Sequence, residues 1–478
     1  MYDVLIIGCG ITGAAAAFEL SKYRLKIGVL ERENDVAAGT TKANSAILHA
    51  GYDPEPGSLM ARLNVRGSEL ARELCEKLDV PYRRCGSLVL AFTEEEKNTL
   101  AELYRRGTIN GVPDMELLCG DEARVLEPSL SAQAVAALHA PSAAVCSPWE
   151  YCLALAETAV QNGAELHLET AVTGLDQTGS GWTVHTGRRD FEARYVLNAA
   201  GVEAQTVHEL AAPKTFTMKP KRGQYYLLDK SEGSRVSRVV FQCPTKAGKG
   251  VLAAPTVHGN LIVGPSAEAV EGEDTAVTAE GLAGVRAAAS KSVPGIQFSQ
   301  SIRNFAGVRA STDREDFILE EAAPGFFDLA GICSPGLTAA PAIAEYAVEL
   351  LKEAGLELEE KEDFICRRRR VRFKELSEEE RAALAEREPA YGRVICRCET
   401  VTEGEILACL HAPVPPRSVD GVKRRTGAGM GRCQGGFCAP RVVELLSREL
   451  GISPGEVVQE GAGSWLLERE TKGVERRV

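Results

Sequence analysis

Two short cysteine pairs near the C-terminal end could do chemistry together: Cys396 and Cys398 flank one residue, and Cys433 and Cys438 flank four. A [2Fe–2S] cluster needs four thiolates converging on two irons, and both loops present their sulfurs in pairs. A structural zinc ion also takes four cysteines, but typically from pairs about two to four residues apart, which this spacing matches less well. Inert buried thiols are the third reading. Gly427, Gly429, Gly431, Gly435 and Gly436 surround the second pair. Their backbone amides can approach cluster sulfide closely and donate hydrogen bonds to it.

The opposite end carries a second chemical signature. Asp3 to Ile7 reads as a buried parallel strand that runs into Gly8-Cys9-Gly10-Ile11-Thr12-Gly13 and then a helical stretch from Ala14 to Tyr23. Gly8 permits the tight bend, Gly10 lets the backbone approach a pyrophosphate, and Gly13 lets helix and strand pack closely. The helix N-terminus then faces the phosphate charge. A second strand, Lys26 to Leu30, ends in Glu31, a carboxylate placed to accept from ribose hydroxyls and to repel a 2′-phosphate.

Further segments carry a resemblance. Gly39-Thr40-Thr41-Lys42-Ala43-Asn44-Ser45-Ala46-Ile47-Leu48-His49-Ala50-Gly51-Tyr52, Asn198-Ala199-Ala200-Gly201 and Gly331-Ile332-Cys333-Ser334-Pro335-Gly336-Leu337-Thr338 fall in the order used by the D-amino-acid-oxidase (DAO) and glycine-oxidase flavoprotein superfamily. The similarity spans about residues 1 to 360. It implies FAD, contacted by Gly8, Gly10, Ile11, Thr12, Gly13, Glu31, Arg32, Thr40, Thr41, Asn44, Ser45, Ala46, Val172, Ala200, Gly201, Gly307, Gly331, Gly336, Leu337 and Thr338. The last loop would aim a helix dipole at the flavin and stabilise its anionic reduced form. The cysteine region, Arg393 to Leu450, resembles the bacterioferritin-associated-ferredoxin-like (BFD-like) [2Fe–2S] domain, with Cys396, Cys398, Cys433 and Cys438 as ligands.

Flavin oxidation of an alcohol or amine needs a group to hold the substrate's charged end and another to accept a proton. Arg309, in Phe305-Ala306-Gly307-Val308-Arg309-Ala310, resembles the family arginine that meets the substrate's anion, and a guanidinium suits carboxylate or phosphate. Lys219, Lys221 and Arg222 add cations that favour phosphate. His49 is the first proton acceptor considered, because its segment runs under the flavin, and His258 is the second. For both, a cofactor contact or a satisfied core imidazole is the competing reading.

The architecture resembles the large subunit of anaerobic-type glycerol-3-phosphate dehydrogenases. Asn44 to Gly51, Pro56 to Leu59 and Arg222 to Tyr226 look closer to L-2-hydroxyglutarate dehydrogenases. The leading expectation is therefore oxidation of a small anion, glycerol 3-phosphate, to dihydroxyacetone phosphate by hydride transfer to FAD, with electrons passed through the cluster to partner subunits or a quinone-linked acceptor. A 2-hydroxyacid or amino acid is the alternative substrate. A flavin and iron–sulfur electron-transfer subunit without a substrate of its own is the reading from a different class.

At 478 residues, with 44% apolar and 26% charged content, the chain suits two or three globular domains. The expected fold class is α/β: a Rossmann-like FAD domain over 1–365, interrupted by a mixed-sheet cap near 81–140 and 211–300, a charged linker over 366–392, a small helical cluster domain over 393–450 and a tail over 451–478. The linker's Arg367-Arg368-Arg369-Arg370-Val371-Arg372 run reads as a solvated surface, with docking to an acidic partner or membrane surface as the alternative. A net charge of −12 gives no overall attraction to nucleic acid. The absence of a leader before the first strand, of a spanning apolar run and of regular spacing among 14 cysteines predicts a reduced, cytoplasmic protein, associated with a membrane's inner face only through partners.

Overall fold

The computed structural model describes residues 1–244, 250–469 and 472; positions 470, 471 and 473–478 of the expected tail lie outside it. The strand Tyr2–Ile7 is buried along almost its whole length. A strand apolar on both faces needs cover on both, the condition of a parallel sheet between helices. It pairs in parallel with Ile27–Leu30 and Phe191–Asn198, and Phe191–Asn198 pairs in parallel with Phe326–Ala330. The helix Ile11–Leu20 lies against Pro148–Gln161 and Gly336–Glu353, and its run Ala14 to Ala17 is buried, so the backbones approach closely. A second close approach joins Leu59–Lys77 to Gly336–Glu353: a Cβ on Gly67 would sit 2.2 Å from the Thr338 carbonyl oxygen.

The cap is a mixed sheet of nine strands among the described residues. Val239–Gln242 runs parallel to Ser87–Ala91 and antiparallel to Leu252–Pro255, and Lys221–Leu228 pairs antiparallel with Leu261–Gly264. The expected return to the flavin domain at residue 300 comes too early. Ser301–Arg309 instead lies antiparallel along Lys221–Leu228, with Arg309 opposite Lys221. Its ladder covers what would otherwise be an open edge of the cap sheet. Arg309 is therefore delivered by the cap.

The C-terminal domain packs Glu403–Leu410, Val419–Thr426 and Ala439–Leu450 around Ile406, Val422, Leu445 and Leu446, all fully buried. Thr402 opens the first of these helices as a capping box: its hydroxyl accepts from the Glu405 amide, and the Glu405 carboxylate accepts the Thr402 N–H at 2.8 Å.

The arginine run before this domain is not a solvated surface. Arg368 is buried and ion-paired to Glu157 at 2.5 Å, Arg370 lies 3.3 Å from Glu150, and Arg372 lies 2.8 Å from Asp79. Glu150 and Glu157 are buried on Pro148–Gln161. Buried carboxylates require cations, and the run supplies them. The segment straps the flavin domain rather than hanging free. Arg367 and Arg369 remain exposed. Past the cluster domain, Glu460 is ion-paired to both Lys42 and Arg424, so the described part of the tail touches the dinucleotide-binding region.

Candidate active site

A continuous cavity of about 2080 Å³ starts at the glycine turn, passes beneath the cap sheet and reaches the seam with the cluster domain, where Lys374, Glu399, Lys423 and Met430 line it. Pockets for drug-sized ligands run to about 1,000 Å³. This space accommodates a dinucleotide together with a substrate.

At the turn, Gly8 has φ +97°, and a Cβ there would lie 2.6 Å from the Ala199 oxygen. Only glycine meets both conditions without strain. Gly10 faces Thr41, whose Oγ1 accepts the Ile11 N–H at 2.9 Å. Glu31 is buried and accepts the Cys9 N–H at 2.7 Å and the Glu33 N–H at 3.0 Å, while burial pushes its pKa up. Ile11, Thr12, Arg32, Thr40, Ser45, Ala46, Val172, Ala200, Gly201, Gly307, Gly336 and Leu337 also line the cavity. Arg32 is ion-paired to Glu273 and Glu33. Asn44 lines it too, with its amide committed to its own loop, donating to the Thr40 and Thr41 carbonyls and accepting from the Ala46 N–H.

Gly13, Gly331 and Thr338, expected as cofactor contacts, stand outside the lining. Gly13 lies over the turn, where a Cβ would come 2.0 Å from the Gly8 oxygen, and Gly331 faces Thr312. The Thr338 hydroxyl is turned to accept the His49 N–H at 2.9 Å.

His49 is consequently held from several sides. The Asn64 amide donates to its carbonyl at 3.0 Å, Ser334 Oγ lies 3.2 Å from its Nε2, and Phe241 stacks on the ring at 5.8 Å. Ser334, Phe241 and Tyr225 line the cavity beside it and are given no role by the sequence. Tyr225 places its hydroxyl 3.2 Å from Ser45 Oγ and stacks on Phe305 at 4.8 Å, forming part of the cavity's cap wall. Its strand alternation was the signal that could have assigned it an inward face.

Arg309 lines the cavity, and among the described residues no carboxylate is paired with it. Lys221 lies opposite it in the sheet. Arg222, expected beside them as a further substrate cation, is instead held by Glu268 at 2.8 Å and Asp274 at 2.6 Å. The strand's pleat turns it to the other face.

His258 does not join His49. It sits in a turn, stacked on Trp149 at 6.0 Å and 3.5 Å from Glu150, and burial lowers its pKa despite that carboxylate. Its place is the cavity wall grouped with Lys230 and Lys374, beside the cluster domain.

The cysteines form two pairs. Cys398 and Cys433 have their sulfurs 3.5 Å apart, and the Cys438 thiol donates to Cys396, whose pKa it lowers together with the Gly429 and Glu399 amides. Among the described residues, no group of three or more ligand side chains converges on one metal ion. Two thiolates per iron is what a two-iron cluster takes, whereas one zinc needs all four at a single centre. The cavity, the glycine turn and the open helix N-terminus fit FAD in the same sense.

The sequence matches the FAD dependent oxidoreductase (DAO) family over residues 3–350 and the BFD-like [2Fe-2S] binding domain over 394–448. A glycerol 3-phosphate dehydrogenase of Caloramator mitchellensis is 47% identical over 99% of both chains. An L-2-hydroxyglutarate dehydrogenase of Escherichia coli K12 is 29% identical over 56% of this chain and 64% of its own. The solved structure of dithionite-reduced L-alpha-glycerophosphate oxidase from Mycoplasma pneumoniae with FAD bound superposes with a TM-score of 0.73 at 33% identity, covering 77% of this chain and 98% of that one. Similarity over most of the chain, joined to a glycine turn and paired thiols that fit the two groups, makes this protein a member of the FAD-dependent oxidoreductase family, with FAD and a [2Fe–2S] cluster as its cofactors.

Proposed function

We propose that this protein oxidises glycerol 3-phosphate to dihydroxyacetone phosphate. The observation that carries the reading is the 47% identity to a glycerol 3-phosphate dehydrogenase along the whole chain, cluster domain included. Arg309 supports it as a cavity guanidinium without a carboxylate of its own, with Lys221 opposite in the sheet. Two cations match a phosphate dianion better than a single carboxylate.

When bound, FAD supplies the acceptor for the hydride from C2, and the cluster supplies a one-electron outlet. Arg309 holds the phosphate and so fixes which carbon lies over the flavin. His49 takes the hydroxyl proton at a ring nitrogen as the ketone forms, its orientation set by Thr338, Ser334 and Phe241. The Tyr225 and Phe241 side chains keep the roof apolar and limit water. Electrons leave to a protein acceptor rather than to dioxygen, so peroxide forms slowly during turnover.

The test is anaerobic mixing of the holoenzyme with glycerol 3-phosphate and, separately, with L-2-hydroxyglutarate, while flavin absorbance is followed. Bleaching by the phosphate alone supports the proposal. Bleaching by the hydroxyacid alone transfers the assignment to that substrate, and no bleaching with either refutes both.

A further inference from the structure

We propose that the outer face of the cluster loops is a docking site for a small acidic one-electron carrier protein, centred on Phe437 and ringed by arginines. The inference rests on the reading that the cluster is the electron outlet.

Phe437 is 82% exposed although it directly precedes Cys438. A phenyl ring left in water at that position contributes nothing to the domain's own core, which is complete without it. Cys398 is exposed as well, and its sulfur lies 3.5 Å from that of Cys433. A protein seated on Phe437 is thus in contact with the loop that carries two of the four ligands. Short distance is the main requirement that such a face must meet.

The exposed charges around it are mostly positive. Arg397 precedes Cys398 and Arg432 precedes Cys433, and the two loops touch, since a Cβ on Gly431 would fall 2.4 Å from Cys398 Cβ. Arg393 and Arg441 both reach the buried Glu403, at 2.8 and 3.6 Å. Arg432 is ion-paired to Asp229 at 2.9 Å, and the side chains of Arg393, Arg432 and Arg441 remain 55%, 69% and 40% exposed while making their pairs. Glu444, bonded to Arg441, is the exposed carboxylate within the group. Arg397 is exposed and, among the described residues, makes no ion pair.

This local excess of positive charge stands on a chain of net charge −12. An acidic carrier is repelled by the net charge of the molecule and drawn to this face, which orients the encounter as well as accelerating it. Apolar centre and charged rim are the usual anatomy of such contacts. Each docked carrier takes one electron, so two oxidised carriers are reduced for each alcohol oxidised, and the two protons released pass to water.

The experiment uses full-length holoenzyme reduced with dithionite and desalted, so that it does not depend on substrate. It is mixed with an acidic flavodoxin and, separately, with basic cytochrome c, and flavodoxin binding to the oxidised enzyme is measured by biolayer interferometry. The flavodoxin rate and affinity are expected to fall about tenfold or more between about 20 and 300 mM salt. Arg397→Glu and Phe437→Ala are each expected to weaken binding by about tenfold while the cluster's paramagnetic signal is unchanged. Salt-independent reduction, equal preference for cytochrome c, no flavodoxin binding, or parent affinity in both variants overturns the proposal. So does binding to anionic lipid vesicles that the same variants abolish, which makes the face a lipid contact. If glycerol 3-phosphate fails to bleach the flavin, only the substrate assignment falls, because the dithionite-reduced measurement still stands.

Discussion

Asp35 Oδ1 lies 2.7 Å from Arg425 Nη2, and only 1% of either side chain is exposed. Asp35 Oδ2 also accepts from Arg425 Nη1 and Arg424 Nη2, each at 2.8 Å. Arg425 spends its other donors on the Val414 and Gly421 carbonyls. A residue just beyond the strand Ile27–Leu30 thus anchors a helix of the cluster domain. Removing one partner of a buried, fully bonded ion pair leaves an uncompensated charge and costs about 3–5 kcal/mol. Asp35→Ala is expected to lower the free energy of unfolding by that amount and to expose the cluster domain to proteolysis. Urea denaturation and limited trypsin digestion measure the two effects.

The same pair sets a pH dependence. Burial alone pushes the Asp35 carboxyl up, but the charges and hydrogen bonds of Arg425 and Arg424 outweigh it and hold the pKa at about 2. With the folded value below the unfolded one, the carboxylate stabilises the protein fully above about pH 4 and progressively less as pH falls toward 2. The stability gap between the parent and Asp35→Ala should therefore narrow between pH 5 and about pH 2.5. A gap that stays constant over that range would contradict the assignment.

Much of this fold could be read in advance where pattern and local chemistry agree. The glycine turn, the capping box at Thr402 and the strands around Leu88, Tyr225 and Ile262 each follow from spacing that one backbone geometry satisfies. What could not be read are pairings across long sequence separations. Arg368 looked solvated because its run is charged, and nothing local reveals that Glu157 lies buried 211 residues away. Arg309 was expected as the substrate anchor and Arg222 as a further substrate cation, and only the sheet register shows carboxylates beside Arg222. Likewise, Ser334 lies inside a loop whose resemblance was recognised, yet its role depends on the 3.2 Å contact with a histidine 285 positions earlier.

His49→Gln tests the proton acceptor. The amide keeps some hydrogen-bonding capacity and bulk but cannot take a proton at neutral pH. Substrate-driven flavin reduction is expected to slow by about 10²- to 10⁴-fold, with bound flavin and the substrate Kd little changed. Ser334→Ala removes one of the contacts that orient the ring, so a smaller loss is expected, accompanied by a shifted pH profile. Rapid single-turnover absorbance measurements across pH distinguish the two variants.

Arg309→Ala should act on binding. Losing a charge-assisted pair to an anion is worth about 1.5–3 kcal/mol, which corresponds to a rise of about 10- to 150-fold in KM for glycerol 3-phosphate. Arg309→Lys restores the charge without the planar fork and should recover only part of the affinity. Titrating flavin bleaching against substrate concentration gives both values. An unchanged KM in the alanine variant would remove Arg309 from the anion site.

Cys433→Ser addresses the metal and the path of electrons together. With Cys433 paired to Cys398 and Cys396 paired to Cys438, the replacement takes one thiolate from one pair and leaves the other intact. The parent should contain about two irons and two acid-labile sulfides per chain, and the variant markedly less of both. Flavin content should not change, because the glycine turn and its cavity lining are built from the other end of the chain. Bleaching by substrate should therefore proceed at the parent rate, while reduction of an external one-electron carrier should stop. One zinc per chain in the parent would assign the thiols to a structural ion. Carrier reduction that survives in the variant would instead place the cluster off the path from substrate to acceptor.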